Sequence, residues 1–522
     1  MTGFPSMHDK PSSESTAETL IRFSSGPDRG DATDVLSAAE EVADDVAVRA
    51  TGPTGITAYE PLALVSTDGE TRMYAAVDAS QATDLVRAAE AGESTDFEPF
   101  AVVEHEDDGT LPVPDEGPLA VGDRRLLAKC GWANPVAPAD WTLVSERVTA
   151  ETRLETPILG RGRGDAVAET PVTEAWDTIR ETDGEPVVVV NAHDTDPRHR
   201  SDETLLAGAT VAVLDAAVTA GVLVGATDVL VLLDADAPVR PRLEEAADAL
   251  AESLPITPKI AVGPPEYRAG DPTAALEVLE GNDRIEPRRQ PPSPASYGLY
   301  GRPTAVHSVR TVLQARAALQ RELPDLSPPG SDDGEPTDGE RAPTRLFSVT
   351  GDVDHPAVVE LSADDSLSAV REAVAPTDGV GMVCVGGIFG GLTDTLDYDP
   401  TAEALTEAGL GLTGGVEILG ESRCPVSEAG ERVQFAAEEN SGRCVPGREG
   451  TQQLTELLRD IYGGTFDAEK ITELARVMRT TANCQIGATA PRPVTTALDR
   501  FGEQFTEHAN GTCRHGTCSD NL

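Results

Sequence analysis

Glu438-Glu439-Asn440-Ser441-Gly442-Arg443-Cys444-Val445-Pro446-Gly447-Arg448-Glu449-Gly450 is the stretch on which the reading of the chain turns. It sets one cysteine, one proline and an Arg-Glu-Gly step just ahead of two helical stripes. These are Leu454, Leu457, Leu458 and Ile461, then Ile471, Leu474, Ala475 and Met478. A second cysteine, Cys484, follows in Asn483-Cys484-Gln485-Ile486-Gly487. An Arg-Glu-Gly step before a helix is common, so its meaning depends on the rest of the chain.

The 522 residues hold 90 acidic against 41 basic side chains, a net charge of -49. A chain of this length accommodates about three or four domains. The lysines are Lys10, Lys129, Lys259 and Lys470. Acid is spread along the whole chain, which is the pattern of a solvated surface and of life in concentrated salt, where screening removes self-repulsion. No basic stripe exists to neutralise phosphates, so nucleic acid is excluded as a partner. Seven cysteines are scattered at 130, 384, 424, 444, 484, 513 and 518. That spacing in a long chain points to cytoplasmic thiols or metal sites rather than a disulfide framework. No secretory leader is read at the start. The most apolar region, residues 205–233, is interrupted by Asp215 and Asp228 and reads as buried helix and strand, not as direct membrane insertion.

With Cys484, residues 438–450 resemble the cluster-binding end of the flavin- and NADH-binding subunit of respiratory complex I, which has relatives in NAD-linked hydrogenases and formate dehydrogenases. That family carries Glu-Ser-Cys-Gly-Lys-Cys-Thr-Pro-Cys-Arg-Glu-Gly and one distant cysteine, four thiolates for a [4Fe–4S] cluster. The present chain keeps Glu439, Gly442, Cys444, Pro446, Arg448, Glu449 and Gly450. Ser441 and Gly447 stand where two ligands belong. The metal candidates are therefore Cys444 and Cys484, with Ser441 as a poor oxygen donor.

The resemblance continues along the chain and implies an α/β multidomain fold. Residues 1–17 read as a disordered tail. Residues 18–99, in β-α-β-β-β-α order, suit a thioredoxin-like domain. There Pro53 and Thr57 occupy cluster-cysteine positions and a further pair is absent near residues 24–28, so [2Fe–2S] is not expected. Residues 100–153 connect, with Cys130 a packed thiol. Residues 154–322 match the α/β flavin domain, residues 323–344 a linker, residues 345–395 a β-grasp (ubiquitin-like) domain, residues 396–510 the iron–sulfur helical bundle, and residues 511–522 a polar tail. Cys513, His515 and Cys518 fall on that tail and are expected to be exposed.

Within the flavin domain, Gly160-Arg161-Gly162-Arg163-Gly164 resembles the start of the family's flavin-phosphate loop, in which glycines let backbone N–H groups approach phosphate. The resemblance gives Arg161, Gly162 and Gly164 the FMN phosphate, with Arg161 and Arg163 the basic groups at hand. Asn191-Ala192-His193-Asp194-Thr195-Asp196-Pro197 ends a buried strand and matches the family's flavin- and nicotinamide-contacting turn, so Asn191, Asp194 and Asp196 line that site. Tyr267-Arg268-Ala269-Gly270-Asp271 adds Gly270 and Asp271. The implied cofactors are FMN and NADH. The implied partners are other redox-complex subunits or a soluble electron acceptor. Two functions follow. One is an NADH:acceptor oxidoreductase passing hydride to FMN. The other is a redox-inactive descendant serving as scaffold or regulatory subunit, favoured by losses at three cofactor sites.

Overall fold

The computed structural model describes residues 19–24, 26, 30–106, 108–165, 169–323 and 343–518. The expected N-terminal tail, most of the 323–344 linker, residues 166–168 of the glycine-rich loop and residues 519–522 lie outside the described residues.

The first unit contains β1 (Leu20–Ser24), α1 (Gly30–Val42), β2 (Ala47–Thr51), β3 (Leu62–Thr67), β4 (Glu70–Tyr74), α2 (Ala79–Ala91) and β5 (Ala101–Glu104). The sheet order is β2-β1-β3-β4-β5, with β1 and β2 parallel and β1 and β3 antiparallel. Asp78 and Gln81 form a reciprocal capping box that starts α2. Val35, Ala39, Ala82, Leu85 and Val86 cover Ile21 and Phe23 on one face. The other face, through Leu62, Leu64 and Met73, shares a core with the third sheet described below. Period-two alternation along β3 produces this two-faced burial. The connecting region buries Cys130, and burial pushes its thiol up to about 12.

The second unit alternates helix and strand. It runs α3 (Val172–Glu181), β6 (Val187–Asn191), α4 (Ser201–Gly208), α5 (Thr210–Val224), β7 (Asp228–Asp234), α6 (Arg240–Leu250), β8 (Lys259–Gly263), α7 (Ala274–Leu279), β9 (Thr304–His307) and α8 (Val309–Glu322). The sheet order is β8-β7-β6-β9, all parallel. Every residue of β6 is buried, which is why a continuous valine run, not an alternating one, forms it. Asp215 interrupts apolar α5 for a visible reason. Its carboxylate accepts the N–H groups of Val144 and Ser145 at 2.9 Å each and Arg316 Nε at 2.7 Å, tying the connecting region to α5 and α8. Among the described residues no single helix is long and apolar enough to cross a membrane; α4 and α5 bend by 101°.

The third sheet comprises β10 (Thr344–Gly351), β11 (Ala357–Ser362), β12 (Met382–Val385), β13 (Gly391–Thr393) and, after α9 (Ala402–Glu407), β14 (Gly415–Leu419). Its order is β11-β10-β14-β12-β13. Here the structure differs from the sequence reading, which ends this unit at residue 395 and places residues 414–419 with the helical bundle. β14 lies between β10 and β12, where Val416 and Ile418 complete the apolar core. The last unit is helical: α10 (Pro425–Glu439), α11 (Thr451–Tyr462), α12 (Ala468–Thr481), α13 (Gln485–Thr489) and α14 (Arg492–Ala509). Leu454, Leu458, Ile461, Ile471, Met478 and Phe505 close its core.

Candidate functional site

In an open parallel sheet, ligands bind outside the carboxyl ends of the strands where the strand order reverses. In this sheet the reversal falls between β6 and β9. The glycine-rich loop lies on the carboxyl ends of those two strands. Asn191 Nδ2 donates to the carbonyls of Gly164, at 3.3 Å, and Gly270, at 3.0 Å. Ser308 Oγ donates to Arg161 O at 2.6 Å, and Arg161 N donates to Thr311 Oγ1 at 2.8 Å. Two glycines are needed for this approach. Gly162 has φ +76, and a Cβ there would meet Arg310 Nη2 at 2.3 Å. A Cβ on Gly164 would meet Asn191 O at 2.4 Å.

From this crossing a cleft of about 700 Å³ follows edge strand β9 from Thr304 to His307, passes Asp165 and α3, and reaches Asp271 and Cys484. Asp165, Glu174, Asp271, Arg288 and His307 line it, and the charges of the adjoining loop are buried in pairs. Arg161 Nη1 lies 3.2 Å from Glu169 Oε1, and Arg345 grips the same carboxylate, its Nη2 at 3.0 Å. Burial, with Arg345 beside it, brings the Arg161 guanidinium down to about 10. Asp165 accepts His307 Nδ1–H at 2.9 Å, and His307 Nε2 accepts Trp176 Nε1–H at 2.8 Å. These two bonds fix one neutral tautomer of His307. Arg163 differs from Arg161. It is buried, stacks 3.5 Å over the Tyr267 ring and donates from Nη2 to Tyr267 O. Its Nε and Nη1 make no hydrogen bond among the described residues.

The turn after β6 is built on acid–base contacts. Asp194 Oδ2 lies 3.2 Å from His199 Nδ1, and its Oδ1 4.0 Å from Arg163 Nη1. Burial works against the Asp194 charge, but His199, Arg163 and Arg310 outweigh it and hold the carboxyl below its ordinary range. Burial likewise opposes the His199 charge, and Asp194 and Asp196 overcome it and hold the imidazole above its ordinary range. Asp196 accepts Arg198 Nη1 at 3.2 Å and the Ile388 N–H at 2.9 Å, joining the second unit to the third. His193 is turned away. Its Nε2–H donates to Pro264 O at 2.7 Å, and burial lowers its basicity.

The pH dependence follows from these directions. A raised His199 contributes fully below 6.5 and is lost as pH rises through its folded value; a depressed Asp194 contributes above 3.8 and is lost as pH falls through its own. The pair is therefore at full strength between those limits. His199→Asn is expected to destabilise the protein there by about 1–3 kcal/mol, the cost of leaving the buried Asp194 carboxylate without its ion-pair partner. Urea midpoints of variant and wild type should converge as pH is raised; a constant gap would contradict the assignment.

At the far end of the cleft stand the two candidate cluster thiols. Cys444 Sγ and Cys484 Sγ are 2.9 Å apart. A hydrogen bond from Cys484 holds the Cys444 thiol down to about 6, and the shared proton pushes Cys484 up. A Cβ on Gly447 would lie 2.9 Å from Cys484 Sγ and 3.2 Å from Cys444 Sγ, so the pair faces the position where the third ligand is missing. Ser441 Oγ accepts the Arg443 N–H at 3.3 Å. Two thiols in contact do not fit a cube whose four irons each need their own ligand. Nor does the first unit fit a [2Fe–2S] centre. Its candidate loop carries no thiol, and a Cβ on Gly52 within it would meet Gly208 Cα at 2.4 Å.

Of the residues named from sequence, Arg161, Gly162, Gly164, Asn191, Asp194 and Gly270 converge on the switch point. Asp196 serves as an inter-unit tie. Asp271 accepts the Thr273 N–H at 2.9 Å and the Thr273 Oγ1–H at 2.8 Å ahead of α7, while still lining the cleft. Asp271, Arg163, Ser441 and Cys484 share a water-sized cavity of about 10 Å³, so the flavin-side and cysteine-side residues meet. His199 and the Asp165–His307–Trp176 chain escape the sequence reading. No local spacing marks them, because their partners are distant in sequence.

Comparison with known proteins agrees with this geometry. The Nuo51 FMN-binding domain family matches residues 157–316, and the NADH-ubiquinone oxidoreductase-F iron-sulfur binding region matches residues 428–508. The F component of the NADH-quinone oxidoreductase of Streptomyces coelicolor is 29% identical over 377 residues, covering 67% of this chain and 81% of that protein. The HndC component of the NADP-reducing hydrogenase of Solidesulfovibrio fructosivorans is 27% identical over 375 residues, covering 67% of this chain and 74% of its own length. In a crystal structure of an NAD+-reducing [NiFe]-hydrogenase in the H2-reduced state, one chain superposes with a TM-score of 0.62 at 26% identity, over 94% of this chain and 84% of that one. Two matching family domains, relatives along two thirds of the sequence and a shared fold along nearly all of it show that this chain resembles the F-type subunits of NADH-quinone oxidoreductases and the subunits of NAD-reducing hydrogenases.

Proposed function

We propose that the chain is an NADH dehydrogenase-like flavin subunit. It binds FMN in the cleft that opens at the β6–β9 switch point and passes electrons from NADH to a partner subunit or a soluble acceptor. The observation that carries this is the glycine-rich loop pinned over Asn191: its buried Arg163 keeps Nε and Nη1 without a hydrogen bond among the described residues and lines a cavity of about 10 Å³, which shares Asp271 and Cys484 with the cleft of about 700 Å³. FMN, when bound, supplies the acceptor for the nicotinamide hydride. The chain's own residues do the rest. Arg163 offers fixed N–H donors to an anionic or carbonyl oxygen, and Tyr267 holds its plane. Asn191 fixes the loop, and Asp194 stays ionised at the strand end. Arg161 is already matched by Glu169, so phosphate is held by backbone N–H groups more than by its charge. No electron path through a four-iron centre belongs to this reading.

The strand order β2-β1-β3-β4, with one parallel pair, supports naming the first unit thioredoxin-like. The order β11-β10-β14-β12-β13 supports a β-grasp for the third. A second reading, the redox-inactive scaffold, is favoured by Asp165, whose carboxylate lies where a Cβ on Gly160 would be, 2.4 Å away, and adds negative charge to the phosphate loop.

The test is a visible spectrum. The protein is purified in high salt without oxygen, incubated with FMN and freed of excess. The expected result is a flavin band that bleaches on adding NADH. A colourless protein after the same treatment would remove this reading and leave the scaffold.

A further inference from the structure

The sequence puts Cys513, His515 and Cys518 on an exposed tail, and the structure corrects this for those three residues, each of which is half-buried. Among the described residues, those up to 518 fold back onto the start of α10. His515 Nδ1 hydrogen-bonds Glu421 O at 2.9 Å and its Nε2 hydrogen-bonds Gln504 Oε1 at 3.0 Å, while Thr517 Oγ1 donates to Ser422 O at 3.3 Å. This brings Cys513 and Cys518 against Cys424, which precedes α10, and His508, in the last turn of α14. One ligand atom from each of the four lies within 4.8 Å of every other. Cys424 Sγ and His508 Nε2 are 3.4 Å apart, across 84 residues of sequence.

We infer that Cys424, His508, Cys513 and Cys518 form a structural zinc site that staples the C-terminal segment to the helical bundle. Three thiolates and one imidazole are a recurrent tetrahedral zinc donor set. Zn–S bonds of about 2.3 Å and a Zn–N bond of about 2.0 Å place tetrahedral ligand atoms roughly 3.5–3.8 Å apart. The four atoms need only a small contraction to reach that geometry. A four-iron cluster would instead spread its ligands over separate irons, farther apart than this group allows.

His508 carries a second, independent indication. Its Nδ1–H donates to Gln504 O at 2.6 Å, which leaves the Nε2 lone pair directed at Cys424 Sγ. A ligating imidazole is held in this way by its other nitrogen. The Tyr462 ring lies edge-on to His508 at 5.5 Å. Cys424 and His508 are buried, and all four ligands come from protein, so the site is closed and lacks the open position a catalytic zinc requires. His515, the histidine nearer the two tail cysteines in sequence, is engaged elsewhere and is not a ligand. The site is separate from Cys444 and Cys484 and does not depend on the flavin reading.

The test measures bound metal on the full chain, expressed with zinc, purified in high salt and freed of loose metal by a chelator and gel filtration. Stoichiometric zinc is expected in wild type and in Cys444→Ser/Cys484→Ser, and loss of zinc in Cys513→Ser and Cys518→Ser. Should the serine variants fail to fold, wild type and His508→Cys are reconstituted with cobalt(II). Both are then expected to give the intense visible bands of a tetrahedral cobalt thiolate, at different wavelengths. Wild type that retains no zinc even after reconstitution, zinc that survives both serine substitutions, or iron and sulfide in place of zinc would each overturn the assignment.

Discussion

Replacing Glu417 with alanine is expected to lower folding stability by about 3–5 kcal/mol, the cost of leaving buried partner charges uncompensated. Glu417 lies on β14 and accepts Arg198 Nε at 2.8 Å and Arg432 Nη2 at 2.7 Å. Arg198 belongs to the turn after β6 and Arg432 to α10, so one carboxylate holds the flavin-type sheet, the third sheet and the helical bundle together. Arg432 is 2% exposed and has Glu428, at 3.1 Å, as a second acid. Burial disfavours the Glu417 charge, yet Arg432 and Arg198 prevail and hold its carboxyl below the ordinary range. A depressed carboxylate contributes above its unfolded value of 4.5 and is lost as pH falls through its folded value. The penalty for Glu417→Ala should thus be largest near neutral pH and shrink in acid. Glu417→Gln keeps the shape and isolates the charge. Urea midpoints in high salt measure both; a loss below about 1 kcal/mol at neutral pH would place the pair among surface-like bridges.

Arg163→Ala is expected to weaken FMN binding by about 10- to 100-fold, since one hydrogen bond to a charged group is worth roughly 1.5–3 kcal/mol and each 1.4 kcal/mol is tenfold. The guanidinium is buried and stacked on Tyr267, with Nε and Nη1 free of hydrogen bonds among the described residues. Arg163→Lys should recover part of the affinity, because an ammonium keeps the charge and loses the planar fork. Quenching of FMN fluorescence measures all three proteins. Equal affinity for wild type and Arg163→Ala would mean that the flavin sits away from this loop.

The elements legible in the sequence are those whose pattern is local. The Val187–Asn191 strand shows itself as an unbroken apolar run because both faces are covered. Of the two stripes, Leu454, Leu458, Ile461, Ile471, Ala475 and Met478 are buried, and Leu457 and Leu474 are half-buried against the same core. What is not legible depends on distant pairing. β14 looks like the opening of the helical region because its neighbours β10 and β12 begin about seventy and thirty residues earlier and nothing beside Gly415 names them. Arg161 looks available to phosphate because nothing in the sequence pairs it with Glu169, and Arg345 lies 176 residues beyond Glu169. The tail illustrates the same limit. Cys513, His515 and Cys518 read as an exposed tail because their partners are distant in sequence. The fold brings His508 from the last turn of α14 and Cys424 from the start of α10 to the two tail cysteines.

Determining the structure of crystals soaked with FMN in high salt tests the central claim most directly. Flavin density is expected in the cleft along β9, its polar atoms within hydrogen-bonding reach of Arg163 and of the loop over Asn191. A cleft left empty at saturating FMN, or flavin bound elsewhere on the chain, would contradict the claim.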